Sequence, residues 1–221
     1  MPVHPCTGRQ LPKICIFQQP ATPQRWLWIV ILGIGLSVGS WYSLSGLYIQ
    51  GKALVAQVLL SQAWQETLET GLPARPWWWA DTWPVARMSL RGREQIVLSQ
   101  ASGRALAFGP AHLPSSTPPG ERGHVVITGH RDTHFRGIAG LRRGDLVTLE
   151  HQRGRDHYRV SHSEIMDLRE GALSYRPELD LLTLVTCYPF DALSPGTPLR
   201  YLVHLNRMES STKRDQILAI H

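Results

Sequence analysis

Acidic side chains are missing from the first 49 residues, and between Trp26 and Ile49 no charged side chain of either sign occurs. The only charges before position 50 are Arg9, Lys13 and Arg25, so half of the formal net charge of +6 sits in that stretch. The rest of the chain is close to balanced, with basic and acidic residues interspersed. That excludes the concentrated basic footprint a nucleic-acid-binding surface needs. Cysteine is scarce as well: Cys6 and Cys15 precede the uncharged stretch, and Cys187 lies beyond it alone. If the stretch separates two compartments, Cys187 has no partner for an internal disulfide. No internal repeat is visible, which sets aside solenoids and propellers.

The uncharged stretch holds an apolar block, Leu27-Trp28-Ile29-Val30-Ile31-Leu32-Gly33-Ile34-Gly35-Leu36, continued by Val38, Trp41, Tyr42, Leu44, Leu47 and Tyr48. That supplies the ~20 residues a helix needs to cross a bilayer, with aromatics suited to the interfaces. A single membrane-spanning helix over residues 26–49 is the expectation. Basic residues before it place the amino terminus inside and the main domain outside. The alternatives are a buried soluble helix and a cleaved signal peptide, for which Ser37-Val38-Gly39 offers a small-x-small site.

The remaining chain is long enough for one well-packed domain. Residues 50–70, with Leu54, Val55, Leu59, Leu60 and Leu68 at near-helical spacing, predict a polar-surfaced stalk helix, and Gly71 to Pro76 break it. The triplet Trp77-Trp78-Trp79 suits either a membrane interface or a strap packed across the domain, and packing is the expectation because indoles bury large areas. The organisation expected is a cytoplasmic tail at 1–25, the membrane helix at 26–49, stalk and linker at 50–85, the main domain at 86–207 and a polar tail at 208–221.

Within that domain, residues 86–90 and 94–98 predict two strands joined near Gly92. Residues 146–150 and 157–161 predict two more, with 165–168 extending the sheet. Residues 109–123 are rich in turn formers and read as a long loop. Three further β-branched runs each carry a reactive group at one end. His124 to Thr128 leads through Gly129 to His130; Leu181 to Thr186 leads to Cys187, with Pro189 ending regular pairing; Pro198 to Leu205 carries Arg200 near its start. Seven or eight short strands with little helix predict a mainly β fold, a closed β-barrel.

A cysteine at a strand end is either a buried structural thiol or a nucleophile held rigid by the sheet. His130 and His134, four apart, would share a helix face as in a zinc site. The strand before them and the lack of further ligands argue against metal there. Asp132 and His134 read better as groups that cap the next turn, or that orient His130 and line its pocket. Arg200 alone would suit a surface ion pair with Asp191.

Taken together, these runs resemble the sortase family. Thr-Leu-Val-Thr-Cys at 183–187 resembles its nucleophile motif and Thr-Gly-His at 128–130 its histidine motif, and Arg200 comes after the cysteine at a familiar spacing. Gly-His-Arg-Asp-Thr-His-Phe at 129–135 and Cys-Tyr-Pro-Phe-Asp-Ala at 187–192 resemble the subgroup found in Gram-negative bacteria. The resemblance implies an eight-stranded barrel with short helices and a membrane-anchored cysteine transpeptidase. Cys187 would be the nucleophile that forms a thioester, His130 the general acid and base, and Arg200 the group that stabilises the oxyanion or positions the substrate. It also implies substrate contacts at Ala111, His112, Thr186 and His134. The partners implied are a protein with a carboxyl-terminal Leu-Pro-x-Thr-Gly-like signal, an amine acceptor and the bacterial inner membrane, with the domain on the periplasmic side. No cofactor or metal is implied, since no acidic cluster matches the calcium site of some sortases. Two other functions stay open: a hydrolase using the same acyl-enzyme, and a membrane-tethered β-barrel binding module with a structural thiol.

Overall fold

The computed structural model describes residues 23–192 and 196–208. Nearly all of the two expected tails, with Cys6 and Cys15, lie outside the described residues. An α-helix, α1, runs Pro23–Thr70, and the chain divides after Gln50 into two compact units. In the first unit the large apolar side chains from Trp26 to Tyr48 are exposed, and the most apolar window, of mean hydropathy 1.7, has none of its residues buried. A helix of this length and composition can cross a membrane, as a single-pass protein requires.

The second unit begins at Gly51, and the part of α1 that belongs to it is no free stalk. Ala56, Leu60, Ala63, Trp64 and Thr67 are buried, a stripe at helical spacing, and Leu60 and Trp64 form a cluster with Ile96, Leu98, Ala105 and Ala111. Leu54, Val55 and Val58 point to solvent instead. The docking face combines Leu60 and Trp64 with alanines, which let the helix backbone approach the sheet; of the aliphatic residues the spacing argument singled out, Leu60 is buried there while Leu54 and Val55 are not. The tryptophan triplet also departs from expectation. Trp77 is half-buried, edge-on to Phe108 at 5.1 Å, but Trp78 and Trp79 are 84% and 65% exposed and pack on each other at 5.0 Å. One indole straps the domain and two do not.

Eight strands close into a barrel: β1 Pro84–Leu90, β2 Arg93–Leu98, β3 Ala111–His112, β4 His124–Thr128, β5 Leu146–His151, β6 Gly154–Asp167, β7 Leu181–Cys187 and β8 Leu199–Arg207. They are hydrogen-bonded in the order β1-β2-β3-β4-β7-β8-β6-β5. The hairpin between β1 and β2 turns on Arg91 and Gly92, both at positive φ, the geometry that matches strand twist. A short helix, α2, covers Ala105–Phe108. The expected loop at 109–123 contains β3, a two-residue strand that bridges β2 and β4 and completes the closure. The expected pair of strands at 157–161 and 165–168 is the single long β6.

Alternation along the strands sorts side chains into two sets. Val125, Ile127, Leu182, Leu184, Val203 and Leu205 point into the barrel with Met88, Phe135, Leu149 and Tyr158. The residues between them, on β4, β7 and β8, face outward. That outer face carries the chemistry.

Candidate active site

Strands β4 and β7 run parallel, with Thr128 level with Val185, and the Gly129 N–H donates to the Val185 carbonyl at 3.1 Å. His130 and Cys187 therefore leave the sheet at the same edge, on neighbouring strands. On the other side of β7, Cys187 is the register partner of Arg200 on antiparallel β8. Three adjacent strands, about 4.8 Å apart, thus deliver the imidazole, the thiol and the guanidinium to one end of one face. His130 is exposed, and Cys187 and Arg200 are half-buried.

The backbone below this row is pinned from several sides. The Thr186 hydroxyl, on the inward side of β7, donates to the Gly129 carbonyl at 2.6 Å, so the strand end bearing the thiol is tied to the one bearing the imidazole. Phe135 is fully buried under that junction, and a Cβ at Gly129 would stand 3.0 Å from its ring, closer than ordinary carbon contacts. Glycine at 129 lets β4 exit over the phenyl ring. The Phe135 N–H donates to the His130 carbonyl at 2.9 Å and closes the turn after the histidine.

The loop from Cys187 to Arg200 is held by two arginines. Arg131 donates through Nη1 to the Pro189 carbonyl at 2.8 Å and through Nη2 to the Ala192 carbonyl at 2.6 Å. Arg200 donates through Nη1 to the carbonyls of Thr197 at 2.6 Å and Leu199 at 2.9 Å. Among the described residues it makes no ion pair, so a pairing with Asp191 is not what holds it. A guanidinium has further N–H groups with which to meet a ligand. Thr197 donates to the Tyr188 carbonyl at 2.6 Å, and Tyr188, Phe190 and Tyr201 pack their rings together beneath the loop.

The other expected site residues fall elsewhere. Ala111 and His112 form β3 and are buried. His112 Nε2 lies 3.0 Å from the Thr117 carbonyl and 3.1 Å from the Ser116 hydroxyl, and burial holds the ring below the usual imidazole range. Thr186 is buried as well. Ala111 and His112 lie on the strand that bridges β2 and β4, and Thr186 ties β7 to the Gly129 carbonyl, so the side chains of all three are enclosed. His134 is half-buried and hydrogen-bonded to the backbone of Ala107; burial lowers its pKa, with the neighbouring His130 adding to the effect. It stands beside the site without joining the row. Asp132 is exposed.

Arg131 is a residue that sequence reasoning misses. It stands inside the Gly-His-Arg run, but its role depends on carbonyls some 60 positions away. An arginine directly after the motif histidine is the only signal the sequence offers.

A cysteine and an arginine are register partners across β7 and β8 of a closed eight-stranded barrel, with a histidine just past the end of β4. The sortase domain family model matches residues 87–208, more than half of the chain, and the chain belongs to the sortase family. Sortase D of Bacillus subtilis is 34% identical over 104 residues, 47% of this chain and 52% of that protein. The chain thus matches about half the length of that curated relative. Sortase A from Corynebacterium diphtheriae superposes with a TM-score of 0.51 at 25% identity, covering 60% of this chain and 64% of that one. A Clostridium perfringens sortase D5 transpeptidase shares the fold with a TM-score of 0.56 at 18% identity, covering 70% of this chain and 98% of that one.

Proposed function

We propose that this protein is a membrane-anchored cysteine transpeptidase whose catalytic row is His130, Cys187 and Arg200. The observation that carries the reading is the register: Cys187 opposite Arg200, with His130 at the neighbouring strand end, all on the outer face. The Cys187 thiolate attacks the carbonyl carbon of a peptide bond in the carboxyl-terminal signal of a second protein. The C–N bond breaks, His130 gives its proton to the leaving amine, and a thioester to Sγ remains. An incoming amine then loses a proton to His130, attacks the thioester carbon and expels the thiolate, so the enzyme returns to its starting state.

The developing oxyanion takes hydrogen bonds from the Arg200 fork. Anchoring of that guanidinium on the Thr197 and Leu199 carbonyls fixes it before substrate arrives, which is the preorganisation electrostatic stabilisation requires. Arg131 and Thr186 act through position, holding the Cys187 loop and strand end against the His130 strand end.

The apolar half of α1 supports anchoring as a single span, with residues 1–25 in the cytoplasm and the barrel on the periplasmic side of the inner membrane. The substrate proposed is a Leu-Pro-x-Thr-Gly-like signal. The test is to incubate the full chain in detergent with such a peptide and an amine acceptor. An amine-linked product absent with Cys187→Ala is the expected result. A carboxylate product alone identifies the hydrolase reading, and recovery of intact peptide across a library of signals contradicts both.

A further inference from the structure

At the far end of the same outer face, His162, Glu164 and His204 present one ligand atom each, all within 4.8 Å of one another. We propose that they form a binding site for a divalent zinc-like ion, separate from the catalytic row. His204 lies four residues along β8 from Arg200, roughly 13 Å in an extended strand. The proposal is therefore independent of the transpeptidase reading.

The local fold is built to bring these groups together. His162 and His204 are register partners on β6 and β8, and their rings stack at 4.7 Å. Glu164, two residues on, shares their face. The pairing shifts by one residue between Val160 and His162, leaving Ser161 as the extra residue of a bulge. Val160 points into the core, so an unbroken strand would send the side chain of residue 162 inward too. The bulge turns it outward beside His204.

The hydrogen bonds also set which ring nitrogens can bind an ion. The Ser161 hydroxyl donates to the His204 carbonyl at 2.9 Å, so toward His162 Nδ1, 3.1 Å away, its oxygen acts as acceptor. His162 then carries its proton on Nδ1 and presents a lone pair on Nε2. For His204, Nδ1 lies 3.0 Å from the Thr183 hydroxyl and Nε2 lies 3.1 Å from Glu164 Oε1. Thr183 is fully buried and is also 2.7 Å from His124 Nε2, while His124 Nδ1 accepts the Arg176 N–H at 3.1 Å. With two lone pairs, the Thr183 oxygen can accept from both rings. When the His204 proton moves from Nε2 to Nδ1 and the Thr183 hydroxyl turns from donor to acceptor, Nε2 becomes free for the ion, and Thr183 orients the metal-bound imidazole from behind.

Two imidazoles and one carboxylate, with solvent on the open side, suit Zn²⁺, which takes three protein ligands and a water. The ligand spacing fits: tetrahedral bonds of ~2.0–2.1 Å put ligand atoms roughly 3.3 Å apart, and the His204–Glu164 pair is already near that. Calcium and magnesium favour sites made wholly of oxygen and are excluded by the two nitrogens.

The test uses the untagged full chain in detergent with Cys6→Ser, Cys15→Ser and Cys187→Ala, so that no thiolate competes for metal. Zn²⁺ is titrated by calorimetry, and Co²⁺ serves as a spectroscopic probe. His162→Ala and Glu164→Gln change exposed side chains, and unchanged metal-free melting confirms their folding. One zinc per chain, with a four-coordinate Co²⁺ spectrum, both lost in His162→Ala and Glu164→Gln, is expected. Failure of the thiol-free chain to bind zinc, or binding that both variants retain, overturns the proposal.

Discussion

The outer face of β4, β7 and β8 has two ends that treat polar side chains in opposite ways. At one end, His124, Thr183 and His204 are linked in series to Glu164 by side-chain hydrogen bonds, and His124 Nδ1 also accepts the Arg176 N–H. At the other end, Arg131 and Arg200, with Thr186 on the inward side of β7 beneath them, donate to backbone carbonyls that hold the strand ends and the loop in place. The first end is linked side chain to side chain beneath its exposed His162–Glu164 rim, and those buried bonds contribute to stability. The second is positioned from below and left open for a ligand.

Substitutions at the open end should change rate, and the largest effect expected is from Cys187→Ala. Product formation should vanish while the thermal midpoint stays close to that of the unmodified chain, since the thiol is only half-buried. Arg200→Ala comes next, with a rate loss of ~10²–10³ for a missing oxyanion donor. Arg200→Lys should recover little of it, because an ammonium cannot reproduce the fork. Arg131→Ala frees the loop after the cysteine and should slow transfer on the order of 10²-fold, the scale of a small misplacement of reacting groups. Steady-state rates with a fluorogenic signal peptide check all four.

Substitution at the closed end should do the reverse. Thr183→Val removes the hydroxyl between two imidazoles and should cost about 1–3 kcal/mol of stability, read by urea denaturation, with the transfer rate nearly unchanged. If transfer falls steeply while stability holds, the contrast between the two ends fails.

The smallest effect concerns pH. Burial lowers the pKa of His112, His124 and His151 below the usual imidazole value of 6.5. For His124 the nearby His204 and Arg176 add to the lowering and Glu178 opposes it, while for His151 Asp156 opposes it and Arg207 and Arg153 add to it. The unfolded chain therefore binds more protons than the folded one as pH drops below 6.5, so stability should be full above that pH and fall beneath it. Denaturation midpoints at pH 7.5 and 5.5 give the comparison.

Much of this architecture was legible because burial and period agreed. The run Leu181 to Cys187 reads as a strand and is β7, and the hairpin around Gly92 needed only its turn residues. What escaped had no local signature. Two residues of β3 carry no period, and their role is to bridge β2 and β4. The buried stripe of α1 includes Ala56 and Ala63 beside Leu60 and Trp64, and hydropathy ranks those alanines beneath the exposed Leu54 and Val55. Trp78 and Trp79 stand exposed although their type favours burial. Arg131 and the His162–Glu164–His204 cluster depend on partners brought together by closure of the barrel. At the open end, the strand ends announced the histidine, cysteine and arginine themselves, while the bonds that hold them lie between segments far apart in the chain.

The central claim is that Cys187 forms the covalent bond to the substrate. Intact mass of the full chain, quenched in acid soon after mixing with the signal peptide and no amine, tests it most directly. The account predicts an added acyl mass that peptide mapping places on Cys187 and hydroxylamine removes. An unmodified chain under conditions where the peptide is cleaved, or an adduct on any other residue, would contradict it.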